Sequence, residues 1–142
     1  MANIITLDTG VKEYEINGYT AYFNPTDESF IARVEKAFES LDGLQGELKE
    51  SEDKPIDFSV FVGMDEKMRN IIDGVLGEGA ADSIFPGVNV YSLSNGLPLW
   101  LNLMYAIVDE ISDACEAEFG KADERMKHYN EKYASMMKKY RK

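Results

Sequence analysis

The hydrophobic positions are densest in the last third of the chain. From Leu97 to Phe119 they include Leu99, Trp100, Leu101, Leu103, Met104, Ile107, Val108, Ile111 and Cys115. This spacing predicts a helix apolar over a wide arc, the pattern of a helix buried in a core. Beyond Gly120 the pattern narrows to a seam. Phe119, Ala122, Met126, Tyr129, Tyr133, Met136 and Tyr140 follow one another at alternating steps of three and four, the heptad spacing of a helix that meets another helix. If continuous, Leu97–Lys142 spans on the order of 69 Å at ~1.5 Å per residue. Gly120 lies where the two patterns join, with a helix penalty of roughly 1 kcal/mol relative to Ala. A bend or break is expected there.

Shorter patterns precede this helix. Ile4, Ile5 and Leu7 suggest a first strand, punctuated by Asp8-Thr9-Gly10. Two strand-like runs, Lys12–Ile16 and Tyr19–Phe23, flank Asn17-Gly18. Both turn residues accept positive φ, so a type I′ hairpin is predicted. Asn24 is the expected cap of the next helix, with Pro25 in its first position and Asp27 in its first turn. That helix carries Phe30, Val34, Phe38 and Leu41, and a break is expected between Asp42 and Gly46. After a charged connector, Pro55 opens a helix over about 56–76 that stops at Gly77. A short turn or helix follows over 80–85. Residues 88–93 are irregular, briefly helical or a short strand, and Pro98 falls in the first turn of the last helix. The predicted fold class is α+β, mainly α. An N-terminal β-hairpin leads into a helical domain over residues 1–119, and residues 120–142 form an amphipathic, basic helical extension.

Composition narrows the function classes. At 142 residues and 44% hydrophobic, one domain with its own core is expected. No run approaches the ~20 apolar residues of a membrane span, and residues 1–3 do not begin a secretory signal. The single cysteine, Cys115, makes no internal disulfide and is read as a small buried hydrophobe. A cytoplasmic location is expected. The net charge of −11 argues against nucleic acid and anionic membranes as partners. The charge is also divided. Residues 121–142 carry eight basic and three acidic groups, net +5, against −16 for residues 1–120. Such a chain can attract a second copy of itself or an acidic partner.

No catalytic set emerges, so neither an enzyme nor a cofactor is expected. His128 falls on the polar side of the terminal helix, and Gly74, Gly77 and Gly79 follow a helix rather than a strand, unlike a dinucleotide site. Asp109, Glu110 and Asp113 form an acidic cluster with no fixed ligand count. Asp65, Arg69 and Asp73 step by four along one helix face. They read as two intrahelical ion pairs or as a charged patch met by a partner. The terminal seam holds Tyr and Met where a stable two-stranded coil prefers branched aliphatics, a choice suited to adaptable interfaces. Self-association, capture of another helix and folding back onto the domain all remain open. The candidate partner-binding residues are Met126, Tyr129, Tyr133, Met136 and Tyr140, with Asp65, Arg69 and Asp73.

Three segments resemble a known family in order and spacing. They are residues 23–30 (Phe-Asn-Pro-Thr-Asp-Glu-Ser-Phe), residues 65–69 with Ile72, Asp73 and Gly77, and Ile84-Phe85 through Asn89-Val90-Tyr91 to Gly96-Leu97-Pro98-Leu99-Trp100. They resemble small proteins from prophages and tailed phages of Gram-positive bacteria that are similar to tail assembly chaperones. The resemblance covers most of residues 4–115 and implies a non-enzymatic, mostly helical, self-associating protein. Such proteins coat the helical tape-measure protein and help recruit tail-tube subunits. It also implies a longer frameshifted form, for which codons at Lys138-Lys139 are a candidate slippery run. An alternative from another class is an acidic DNA mimic that inhibits a nucleic-acid-binding protein, presenting carboxylates of the body at phosphate-like spacing.

Overall fold

A computed structural model of the chain describes residues 1–50 and 58–140. It is α+β and 63% helical. Strands β1 (Lys12–Ile16) and β2 (Tyr19–Phe23) pair antiparallel, with Lys12 opposite Phe23 and Ile16 opposite Tyr19. Asn17 and Gly18 turn between them at φ 48° and 87°, as the Asn-Gly signal requires. Helices α1 (Glu28–Glu50), α2 (Phe58–Leu76) and α3 (Ala80–Ile84) follow. A two-residue ladder, β3 (Leu93–Ser94) with β4 (Leu97–Pro98), leads into α4 (Leu99–Tyr140).

The core forms where the hairpin, α1, α2 and the start of α4 converge. Phe23 stacks between Tyr14 and Phe30, with ring centroids at 4.3 and 4.2 Å. Phe30, Leu41, Met68, Ile72, Trp100 and Met104 are almost wholly buried. The hairpin is fixed from the side by polar contacts. Asn17 Nδ2 donates to the Ile84 carbonyl at 3.1 Å, and the Tyr19 hydroxyl to the Leu76 carbonyl at 3.4 Å. Gly77 makes this approach possible, since its φ is 129° and a Cβ there would lie 2.5 Å from the Tyr19 hydroxyl.

Several expectations are corrected. Ile4, Ile5 and Leu7 form no strand and are exposed: three apolar residues with no buried face to alternate against do not hold a strand. The segment is tied down at its root, where Asn24 Nδ2 donates to the Thr9 carbonyl at 2.9 Å. Asn24 does not cap α1. Its Oδ1 accepts from the Thr26 amide at 2.9 Å, and Asp27 caps the helix by accepting from the Ser29 amide at 3.0 Å. The break expected between Asp42 and Gly46 is absent. Leu41 and Leu48 bury on either side of it, and Gln45 accepts the Trp100 indole N–H at 3.0 Å, which holds the glycine-bearing turn. Gly120 likewise interrupts nothing, and α4 runs 42 residues without a stop, so one glycine is too weak a breaker here. Pro55 lies outside the described residues.

The two kinds of glycine give opposite expectations. A Cβ on Gly43 would meet open space, so Gly43→Ala stabilises the fold by ~1 kcal/mol through helix propensity. Gly77→Ala destabilises it by ~1–3 kcal/mol through backbone strain and the clash with Tyr19. Urea denaturation of each variant measures both signs.

Candidate interaction surface on the long helix

Asp65, Arg69 and Asp73 are spent on the fold. Arg69 is 15% exposed and Asp65 16%. Arg69 Nε donates to Asp65 Oδ2 at 2.8 Å. Nη1 donates to the Ala81 carbonyl at 3.2 Å and to Asp82 Oδ1 at 2.9 Å. Nη2 donates to the Phe85 carbonyl at 2.9 Å and also to the Val88 carbonyl. All five guanidinium donors thus find acceptors. The second oxygen of Asp65 accepts from the Val90 amide at 2.8 Å. Asp73 does not serve as a second ion-pair partner on the helix face. It turns to α3, accepting from the Ala81 amide at 2.8 Å and the Gly79 amide at 3.3 Å, and so caps a helix whose own N-cap is a glycine in the left-handed region. Burial lifts the Tyr91 hydroxyl above the ordinary tyrosine pKa, and the Asp65 carboxylate adds to the shift.

This network positions the start of α4. The Val90 carbonyl, next to the amide held by Asp65, accepts from the Trp100 amide at 2.9 Å, and the Ser92 carbonyl accepts from the Leu99 amide at 2.8 Å. Asn95 and Gly96 turn the short ladder at φ 55° and 81°, a second Asn-Gly hairpin.

The apolar arc of α4 then divides into two stripes one residue apart. Trp100, Leu103, Met104, Ile107 and Ala114 point into the core. The neighbouring stripe does not. Tyr105 is 47% exposed, Val108 43%, Phe119 74% and Met126 62%; Leu101, Cys115 and Ala122 are half-buried. Successive residues are about 100° apart around a helix, so a shift of one position suffices to turn a side chain from core to surface. The expectation that Leu97–Phe119 is buried throughout is therefore corrected for Tyr105, Val108 and Phe119, as is full burial of Cys115. Leu101, Tyr105, Val108, Ser112, Cys115, Phe119, Ala122 and Met126 continue the alternating four-three spacing back from the terminal seam. Only Ser112 is polar among these eight. Tyr129, Tyr133, Met136 and Tyr140 extend the same register along helical backbone; their side chains lie outside the described set. The seam thus runs from the body to the end of α4 rather than beginning at Gly120.

Past Ala114, every described side chain of α4 is exposed or half-buried. The backbone is helical without a break to Tyr140, and the chain's own N-terminal segment reaches α4 as far as Arg125, where Asp8, Lys12 and Asn24 share a pocket with Ala114 and Glu118. Among the described residues, no three His, Cys, Asp or Glu side chains gather as a metal ion would require, and no helix is long and apolar enough to cross a membrane. Comparisons with protein-family models, curated proteins and solved structures return no match.

Arg69→Ala is expected to destabilise the domain by about 3 kcal/mol, because it leaves Asp65 and several carbonyls without their donor. Arg69→Lys is expected to recover little, since an ammonium cannot span acceptors on both flanks. Thermal and urea unfolding followed by circular dichroism test both.

Proposed function

We propose that this chain is a non-enzymatic, phage tail assembly chaperone-like protein that binds the helical tape-measure protein and self-associates during assembly. The observation that carries this reading is the seam on α4. It is an apolar heptad stripe of which Tyr105, Val108, Phe119 and Met126 are exposed, on a helix that continues well past the core. A heptad stripe matches the periodicity of another helix. Its Met and Tyr content suits a partner whose sequence varies along its length. The family resemblance of residues 23–30, 65–77 and 84–100 supplies the identity of that helix. In this reading Met126, Tyr129, Tyr133, Met136 and Tyr140 make contact with the partner. Asp65, Arg69 and Asp73 contribute indirectly, by fixing where α4 starts.

Co-expression with the tape-measure protein tests it. The intact chain is expected to keep the tape-measure protein soluble and to co-purify with it. The Tyr129→Ala/Tyr133→Ala/Met136→Ala variant is expected to lose capture while the domain melts at an unchanged temperature. A triple variant that melts with the core places these side chains in the fold. A triple variant that captures as well as the parent removes them from the site.

A further inference from the structure

The seam has a self-complementary order. The α4 segment 99–120 carries five acidic groups, Asp109, Glu110, Asp113, Glu116 and Glu118, and no basic ones, whereas residues 121–142 carry net +5. Two such helices side by side in parallel would set acid beside acid and base beside base. Antiparallel, each acidic half lies along the other's basic half. We propose that two copies of this chain pair antiparallel through the α4 seams, about a two-fold axis between Phe119 and Ala122.

Side-chain size selects the register. An antiparallel coil sets each a position against a d position of its partner. The register centred between Phe119 and Ala122 opposes Phe119 to Ala122, Cys115 to Met126 and Ser112 to Tyr129. Each pair joins one small and one large residue, and together they fill the space evenly. It also overlaps the seam along its full length. Sliding one heptad either way opposes Phe119 to Tyr129 or Ser112 to Ala122, which overfills or underfills the interface. The flanking rungs are mixed, with Glu118 opposite Arg125 but Glu116 opposite Asp123, so charge acts through the two halves rather than rung by rung.

The proposal deepens the reading of the seam as an interaction surface, and its test is independent of the tape-measure protein. The single cysteine reports orientation, since Cys115 is on the seam and half-buried. A parallel pair brings Cys115 to Cys115, within the Cα separation below about 7 Å that a disulfide needs. The proposed pair keeps the two thiols ~16 Å apart along the axis and puts Cys115 beside position 126.

Light scattering coupled to size-exclusion chromatography is therefore expected to give a dimer. Mild oxidation is expected to leave the parent chain uncrosslinked, to convert Met126→Cys to a covalent dimer, and to leave Cys115→Ser/Met126→Cys uncrosslinked. Phe119→Ala is expected to weaken dimerisation by about tenfold or more, and adding Ala122→Phe to restore it. A monomeric parent chain, a Cys115-linked parent dimer, or a dimeric Met126→Cys variant that does not crosslink overturns the proposal. A dimer with the expected crosslinks that fails to capture the tape-measure protein upholds it and overturns the function proposed above instead.

Discussion

The Arg69 guanidinium holds acceptors from α2, α3 and the turn that follows, and the direction of the long helix depends on it. Asp65 orients the guanidinium and grips the Val90 amide. The Val90 carbonyl then receives the first turn of α4 at Trp100. Trp100 in turn reaches α1 through Gln45. A short chain of hydrogen bonds thus links three helices at one end of the core. Because every donor of the arginine is matched, the site tolerates burial of its charge. Removing a single member leaves the others unpaired.

A helix fixed at its first turn and continuous for 42 residues carries its far end well beyond a domain of this size, ~63 Å at 1.5 Å per residue. The core uses one stripe of that helix and the adjacent stripe is left over. Tyr105 and Val108 are exposed beside Met104 and Ile107, which are buried. An apolar stripe in water, at the spacing that suits a second helix, is where a partner gains most by docking. The division of charge at residue 120 would orient two such helices antiparallel in the pair proposed above.

Much of the fold was legible in the sequence, and the omissions have physical causes. Asn17-Gly18 located the first hairpin because positive φ at two successive residues is rare outside such turns. The same dipeptide at Asn95-Gly96 makes a second hairpin that went unread, because its strands are only two residues long and show no alternation. The breaks expected at Gly43–Gly46 and Gly120 did not occur, since packing by Leu41 and Leu48 outweighs a weak local preference in the first case, and nothing beyond that preference opposes the helix in the second. The step of four through Asp65, Arg69 and Asp73 marked the right residues. Their partners at Asp82, Phe85 and Val90 are tertiary, and spacing along one helix carries no trace of them. The seam was half legible. From Phe119 onward it stands alone, but from Leu101 to Cys115 the core stripe overlaps it, and only burial separates the two.

Everything assigned to the seam requires α4 to be one rigid helix through Gly120, carrying the seam away from the domain. Spin labels at positions 105 and 126, both exposed, test it most directly, in a chain with Cys115 replaced by Ser and in an excess of unlabelled chain. A continuous helix gives a single narrow distance of ~32 Å between backbone sites 21 residues apart. A short or broad distribution would mean that the helix bends or breaks at Gly120, freeing the seam to return to its own domain and contradicting a continuous α4.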